Sequence, residues 1–135
     1  MSSLPPDTRL LLIDDHQIYL DGLSLTLGSL CEGVRLDHAR NAAEALQLVR
    51  EYPYDLILLD LQLPDSSGLS LMQKLRAADA MVPIAILSAS NSPSDLEAAL
   101  QLGAAGFISK TTDGKTLLDA VTQLLYGAQV VIGDT

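Results

Sequence analysis

A parallel α/β sheet with helices on both faces is the fold class this sequence predicts, and three observations predict it. Short aliphatic runs alternate with amphipathic helical segments along nearly the whole chain, an order that favours parallel strands joined by helical crossovers. The runs Leu10-Leu11-Leu12-Ile13 and Leu56-Ile57-Leu58-Leu59 lack polar alternation, the pattern of strands buried on both faces. Polar residues stand where the runs stop: Asp14-Asp15, Asp60, Ser88 and Lys110. In open α/β sheets the carboxyl ends of the strands form the crevice that binds ligands. With 135 residues, 48% of them hydrophobic, the chain suits one domain with a sizeable core.

Each element follows from local pattern. Residues 1–8 read as a lead-in, loose at Leu4-Pro5-Pro6-Asp7, before a first strand over 9–13. The first helix, 16–30, begins at Asp15 or His16 and carries Ile18, Leu23, Leu25, Leu27 and Leu30 with mixed helical spacing. A second strand spans 34–39. Asn41 is a good N-cap for a helix over 42–51, with Glu44 three residues later and Ala42, Ala45, Leu46 and Val49 on one face. The third strand covers 55–59, and Ser66 or Ser67 starts a helix over 69–78 in which Leu71, Met72 and Leu75 recur at helical spacing. After a fourth strand, 83–87, Pro93 opens a helix that carries Leu96, Ala99 and Leu100 and stops at Gly103. Its face holds few large apolar residues, which predicts a helix freer to shift than its neighbours. A fifth strand over 106–109 precedes a helix over 113–126 with Leu117, Leu118, Val121, Leu124 and Leu125, ended by Gly127. Residues 129–135 are expected to be a C-terminal tail or the start of a linker.

Composition narrows the function. The formal charge of −9 with only 8 Lys and Arg leaves no basic face for a nucleic-acid backbone. The single cysteine, Cys31, excludes an internal disulfide framework and suits a reducing compartment, so the expected location is the cytoplasm. No apolar stretch is long enough for a bilayer-spanning helix, and no membrane contact is expected.

Three acids and one lysine at matching strand ends form the chemical signature. Like charges in one crevice repel by about 4 kcal/mol per close pair at an effective dielectric near 20, so the folded site should recruit a cation. Hard oxygen donors without a histidine or thiol cluster favour Mg2+ or a similar ion, completed by waters and a phosphate. The predicted shell is Asp15, Asp60 and the backbone carbonyl of Gln62, with Asp14 one water removed. Taken alone, Asp14 and Asp15 read equally well as caps of the first helix. Asp60 is the candidate nucleophile toward a phosphoryl group, and Lys110 the fixed cation beside it. Ser88, followed by the small Ala89, offers a hydroxyl to an incoming phosphoryl oxygen. Phe107, the one phenylalanine, reads from sequence as core filler, and His16 and His38 read as structural or exposed.

Together, Ile13-Asp14-Asp15-His16, Asp60 to Pro64 with Gly68, Ser88-Ala89, and Gly103-Ala104-Ala105-Gly106-Phe107-Ile108-Ser109-Lys110 resemble the receiver domain of two-component response regulators. The wording of Asp21-Gly22-Leu23 and Gly106-Phe107 is most similar to the branch with a LuxR-type helix-turn-helix output. The resemblance implies a flavodoxin-like (βα)5 three-layer sandwich over residues 9–128, with strand order 2-1-3-4-5. It implies that a sensor histidine kinase phosphorylates Asp60 with Mg2+ bound. It also implies a switch in which Ser88 turns toward the phosphoryl group and Phe107 follows inward. The face made by the fourth helix, fifth strand and fifth helix would then change partners, a second receiver among them, giving a possible homodimer. DNA would be reached only through an output domain not present in this chain. Lys110 is followed by Thr111 where many receivers have proline.

The other function class is a receiver-like interaction module independent of phosphorylation. A phosphatase of the haloacid dehalogenase type is disfavoured because Gln62 stands where such enzymes place a second acid. No enzyme activity is therefore expected beyond the chain's own phosphorylation and slow self-dephosphorylation.

Overall fold

Alternation between two apolar layers organises the molecule. The computed structural model describes residues 8–30, 34–61, 63, 65, 67–78, 81–88, 93–127 and 129–132. Its elements are β1 (Arg9–Ile13), α1 (Gln17–Leu30), β2 (Arg35–Ala39), α2 (Ala42–Glu51), β3 (Leu56–Asp60), α3 (Gly68–Ala78), β4 (Ile84–Ser88), α4 (Pro93–Gln101), β5 (Gly106–Ser109), α5 (Gly114–Leu125) and β6 (Val130–Ile132). All pairings are parallel, in the order β2-β1-β3-β4-β5-β6.

Because successive strand residues face opposite sides, Leu10 and Leu12 join Leu56, Leu58 and Ile108 in a layer with α1 and α5. Leu11 and Ile13 join Ile57, Leu59, Ile84 and Ile86 in a second layer with α2, α3 and α4. The continuous aliphatic runs therefore serve two cores at once. Tight local chemistry sets the helix ends. The Asn41 side chain accepts the Glu44 amide at 2.8 Å, and Asp113 caps α5 by accepting the Thr116 amide at 2.7 Å. Gly103 and Gly127 take φ of 91° and 89° after α4 and α5, a backbone region glycine enters without a Cβ penalty.

Several expectations change. Of the apolar residues with mixed spacing in α1, Leu23 and Leu27 are buried together with Leu20, whereas Ile18 and Leu25 are 90% and 75% exposed. The near-continuous apolar pattern of this helix gives more than one possible stripe, and packing against β1 and α5 selects one. Residues 130–132, expected within a tail or linker, form the sixth strand. Three residues are too few to show a period, and the strand is made by the β5 edge: the Val130 amide donates to the Ala105 carbonyl at 3.0 Å. The (βα)5 order holds for the first five strands and is extended by β6. Of the lead-in, residues 1–7 lie outside the described residues.

β6 approaches β5 closely because position 106 is glycine. A Cβ there would stand 2.7 Å from the Val130 carbonyl oxygen, a separation that backbone cannot absorb without moving. Gly106→Ala should detach β6 and cost about 1–3 kcal/mol. Thermal melting would fall and amide exchange at Val130 would accelerate; unchanged protection of Val130 would show that β6 does not depend on this contact.

Candidate functional site

The order of strands reverses around β1 and β3, so the crevice opens where their carboxyl ends part. Register brings the acids to that point. Ile13 is paired with Leu59, which sets Asp14 beside Asp60, and the Asp14 amide is anchored by the Ala39 carbonyl at 2.9 Å. Ser88 is paired with Ser109, and the Lys110 amide donates to the Ser88 carbonyl at 2.9 Å. Leu58 and Ile108 face the α1/α5 layer, so alternation turns Asp60 and Lys110 to the same side.

Asp14, Asp60 and Ser88 are buried, whereas Asp15 and His16 are exposed. Lys110 Nζ lies 2.5 Å from Asp14 Oδ2 and 3.3 Å from Asp60 Oδ2, with only 11% of its side chain exposed. It also sits 4.8 Å from the centre of the Tyr19 ring. One ammonium is thus shared by two buried carboxylates, offsets half of their charge, and rests on an aromatic face. Burial pushes the Asp14 carboxyl up, but contacts from Lys110 and His16 together outweigh it and hold the group below its ordinary value. Tyr19 is pushed up to about 12 by burial and then by Asp14 and Asp60, so its phenol stays neutral at any physiological pH.

His16 belongs to this cluster, a placement its sequence context does not reveal. Its Nδ1 lies 2.7 Å from Asp14 Oδ1, 3.2 Å from Asp15 Oδ1 and 3.7 Å from Asp60 Oδ2. Its amide also donates to Asp14 Oδ1 at 2.9 Å, and its carbonyl accepts the Leu20 amide at the start of α1. The signal available beforehand is adjacency to Asp14-Asp15 at a strand-to-helix turn. His38 is elsewhere, with Nε2 2.6 Å from Ser24 Oγ.

The loop after Asp60 folds back tightly. The Gly68 amide donates to the Leu61 carbonyl at 2.7 Å, and a Cβ on Gly68 would collide with the Leu61 backbone and lie 2.6 Å from the Asp60 carbonyl oxygen. In the same loop Asp65 accepts the Ala42 amide at 2.8 Å and the Ala43 amide at 3.2 Å. Those bonds, the Ala42 one foremost, lower the Asp65 pKa and tie the loop to the start of α2. Gln62, Pro64, Ser66 and residues 89–92 lie outside the described residues, so the expected Gln62 carbonyl ligand is not placed. Phe107 is buried in the α2/α3/α4 layer, its ring already inward. Among the described residues no peptide is cis; the Thr111 amide after Lys110 donates to Ser109 Oγ at 3.2 Å.

Asp14, Asp15, His16 and Asp60 each offer a ligand atom, all within 4.8 Å of one another. Three carboxylates at that spacing fit a hard divalent cation that retains water and accepts a phosphate oxygen. A buried carboxylate flanked by an ammonium thus lies at the mouth of a parallel α/β sheet, where ligands of such sheets bind. The comparison with known families agrees. Residues 10–122 match the model described as "Response regulator receiver domain", and the chain belongs to that family. It is 34% identical over 131 residues to the nitrate/nitrite response regulator protein NarL of Escherichia coli (strain K12), covering 97% of this chain and 60% of NarL. It therefore spans about 60% of the length of that relative. A LuxR-family two-component response regulator from Aurantimonas sp. SI85-9A1 superposes with a TM-score of 0.83 at 29% identity, covering 90% of this chain and 87% of the other. A Burkholderia pseudomallei response regulator, solved with a phosphorylated aspartic acid, a calcium ion and citrate, gives a TM-score of 0.78 at 28% identity and covers 89% of this chain and 69% of that one.

The lowered Asp14 pKa links the site to stability. A carboxyl whose folded pKa lies below its unfolded value contributes stability in full above the unfolded value, here 3.8, and loses it as pH falls through the folded value. Lys110→Met removes one of the groups that lower the Asp14 pKa and leaves the carboxylates without their ammonium, so acid unfolding should begin at higher pH than in wild type. Circular dichroism across an acid titration reads this directly; coincident curves would show that Lys110 does not stabilise Asp14.

Proposed function

We propose that this receiver domain is a phosphoacceptor switch in which Asp60 takes a phosphoryl group from a sensor histidine kinase. The observation that carries the reading is the buried Asp60 carboxylate beside a mostly buried Lys110 ammonium, at the point where the strand order reverses. An Asp60 oxygen forms the O–P bond while the N–P bond of the kinase phosphohistidine breaks, and the released electron pair stays on the imidazole nitrogen. Lys110 turns from Asp14 toward a phosphoryl oxygen and meets its charge. Ser88, at the end of β4, donates its hydroxyl to another.

A divalent cation, Mg2+ in the cell, would be held by Asp15, Asp60 and the Gln62 backbone carbonyl, with Asp14 one water removed. It supplies charge neutralisation for the phosphoryl oxygens. The calcium ion and phosphorylated aspartic acid of the Burkholderia relative support both parts of this reading.

The signal leaves through α4, β5 and α5. Of α4 only Ala99 is buried, so this helix is the least tied to the core and the one we infer moves when Ser88 turns. Phe107, already inward, then supports the shifted helix from below. The changed face serves a partner, a second copy of the receiver giving a homodimer. The similarity to the LuxR-family regulator supports a transcriptional output that binds DNA through a further domain. Among the described residues no helix is long and apolar enough to cross a membrane, and we place the switch in the cytoplasm. On this reading the receiver runs from residue 9 through β6 at residue 132.

Incubation with acetyl phosphate and Mg2+ should add one phosphoryl group to the wild type, seen by intact mass, and none to Asp60→Asn; chelation of the metal should abolish it. No gain under any condition would replace the switch with a phosphorylation-independent interaction module.

A further inference from the structure

Lys110 is held by more than its counter-ions. Besides Asp14 and Asp60, Nζ meets His16 Nδ1 at 3.3 Å and the Tyr19 ring of α1, whose centre lies 4.8 Å away. An ammonium over an aromatic face is attracted by the ring quadrupole, and the attraction strengthens where water is scarce. It also tolerates displacement across the ring, unlike a hydrogen bond. The ring itself is fixed: Tyr19 is partly buried against the α1/α5 layer, one residue before the fully buried Leu20.

We propose that Tyr19 is a positioning residue for Lys110, its ring acting as a platform along which the ammonium passes from Asp14 to the phosphoryl group on Asp60. The inference rests on the switch reading and adds the residue that controls its lysine. Three features make a platform necessary. Lys110 ends a flexible four-carbon stem. Asp14 is the nearer of its two carboxylates and would retain it when Asp60 is modified. On the solvent side Nζ already lies 3.3 Å from Nδ1 of the exposed His16, a contact that an unsupported ammonium could keep instead of following Asp60. A neutral phenol keeps the ring attractive to the cation at working pH, so a phenylalanine should serve and an aliphatic residue should not.

The chain has three lysines, Lys74, Lys110 and Lys115, which makes the arrangement readable by NMR. The methylene protons next to the Lys110 ammonium should be shifted upfield of those of Lys74 and Lys115 by the Tyr19 ring current. The shift should persist in Tyr19→Phe and vanish in Tyr19→Leu. Phosphorylation of Asp60 by acetyl phosphate at saturating Mg2+ should slow between about twofold and thirtyfold in Tyr19→Leu, in the maximal rate rather than in the donor concentration needed, and recover in Tyr19→Phe. Should Tyr19→Leu fail to fold, Tyr19→Met fills the same space without a ring, and the wild-type spectrum still decides the contact. A Lys110 resonance indistinguishable from Lys74 and Lys115, or a leucine variant with the wild-type rate, would overturn the proposal. A wild type that takes no phosphate but shows the ring-current shift would overturn the switch reading and leave Lys110 positioning as a structural fact only.

Discussion

Crowded negative charge at one end of a parallel sheet is the constraint on which the rest of the structure depends. The β1/β3 register sets Asp14 beside Asp60 in a buried place, where two carboxylates would repel strongly. Their counter-charge comes from Lys110 at the end of β5, two strands away from β3 in the sheet. The ion pairs therefore form only if β3, β4 and β5 all pair in register. Electrostatics and topology specify each other: the sheet brings the charges together, and unpaired buried carboxylates would penalise any sheet that did not.

The surroundings of the acids are tied down by backbone contacts. Gly68 lets the chain return directly against Leu61 after Asp60. Asp65 fastens that same loop to the first turn of α2 through two backbone amides, placing a carboxylate where the helix dipole favours it. At the opposite end of the sheet, Asp37 receives both Arg9 Nε at 3.1 Å and the Tyr54 hydroxyl at 2.7 Å. Arg9 also lies 4.2 Å from the centre of the Tyr52 ring. That network closes the α2 side of the core far from the chemistry. Burial differs among the helices: α5 buries Leu117, Ala120, Val121 and Leu124, whereas α4 buries only Ala99.

Most of this was legible because each element carries its own signal. Unbroken aliphatic runs mark strands packed on both faces, Asn41 and Asp113 mark helix starts, and Gly103 and Gly127 mark helix ends. Strand-end polar residues, read as a set, point to one crevice because parallel strands all end on the same side. Less legible were features with two equal solutions or none in sequence. The helix α1 has enough leucines for more than one buried stripe, and β6 is too short to declare a period. His16 joins the acids through the turn geometry of a single residue, and no periodicity reports a turn.

By itself the sequence determined the alternation of strands and helices, the class of sheet and the identity of the acids and lysine, because those depend on residue type and near-neighbour spacing. Tertiary structure alone decided which leucines of α1 are buried, that β6 pairs with β5, and that Lys110 lies between Asp14, Asp60 and the Tyr19 ring. Such contacts join residues as far apart along the chain as Asp14 and Lys110. Their existence depends on register and side-chain direction across several strands, which local propensity does not encode.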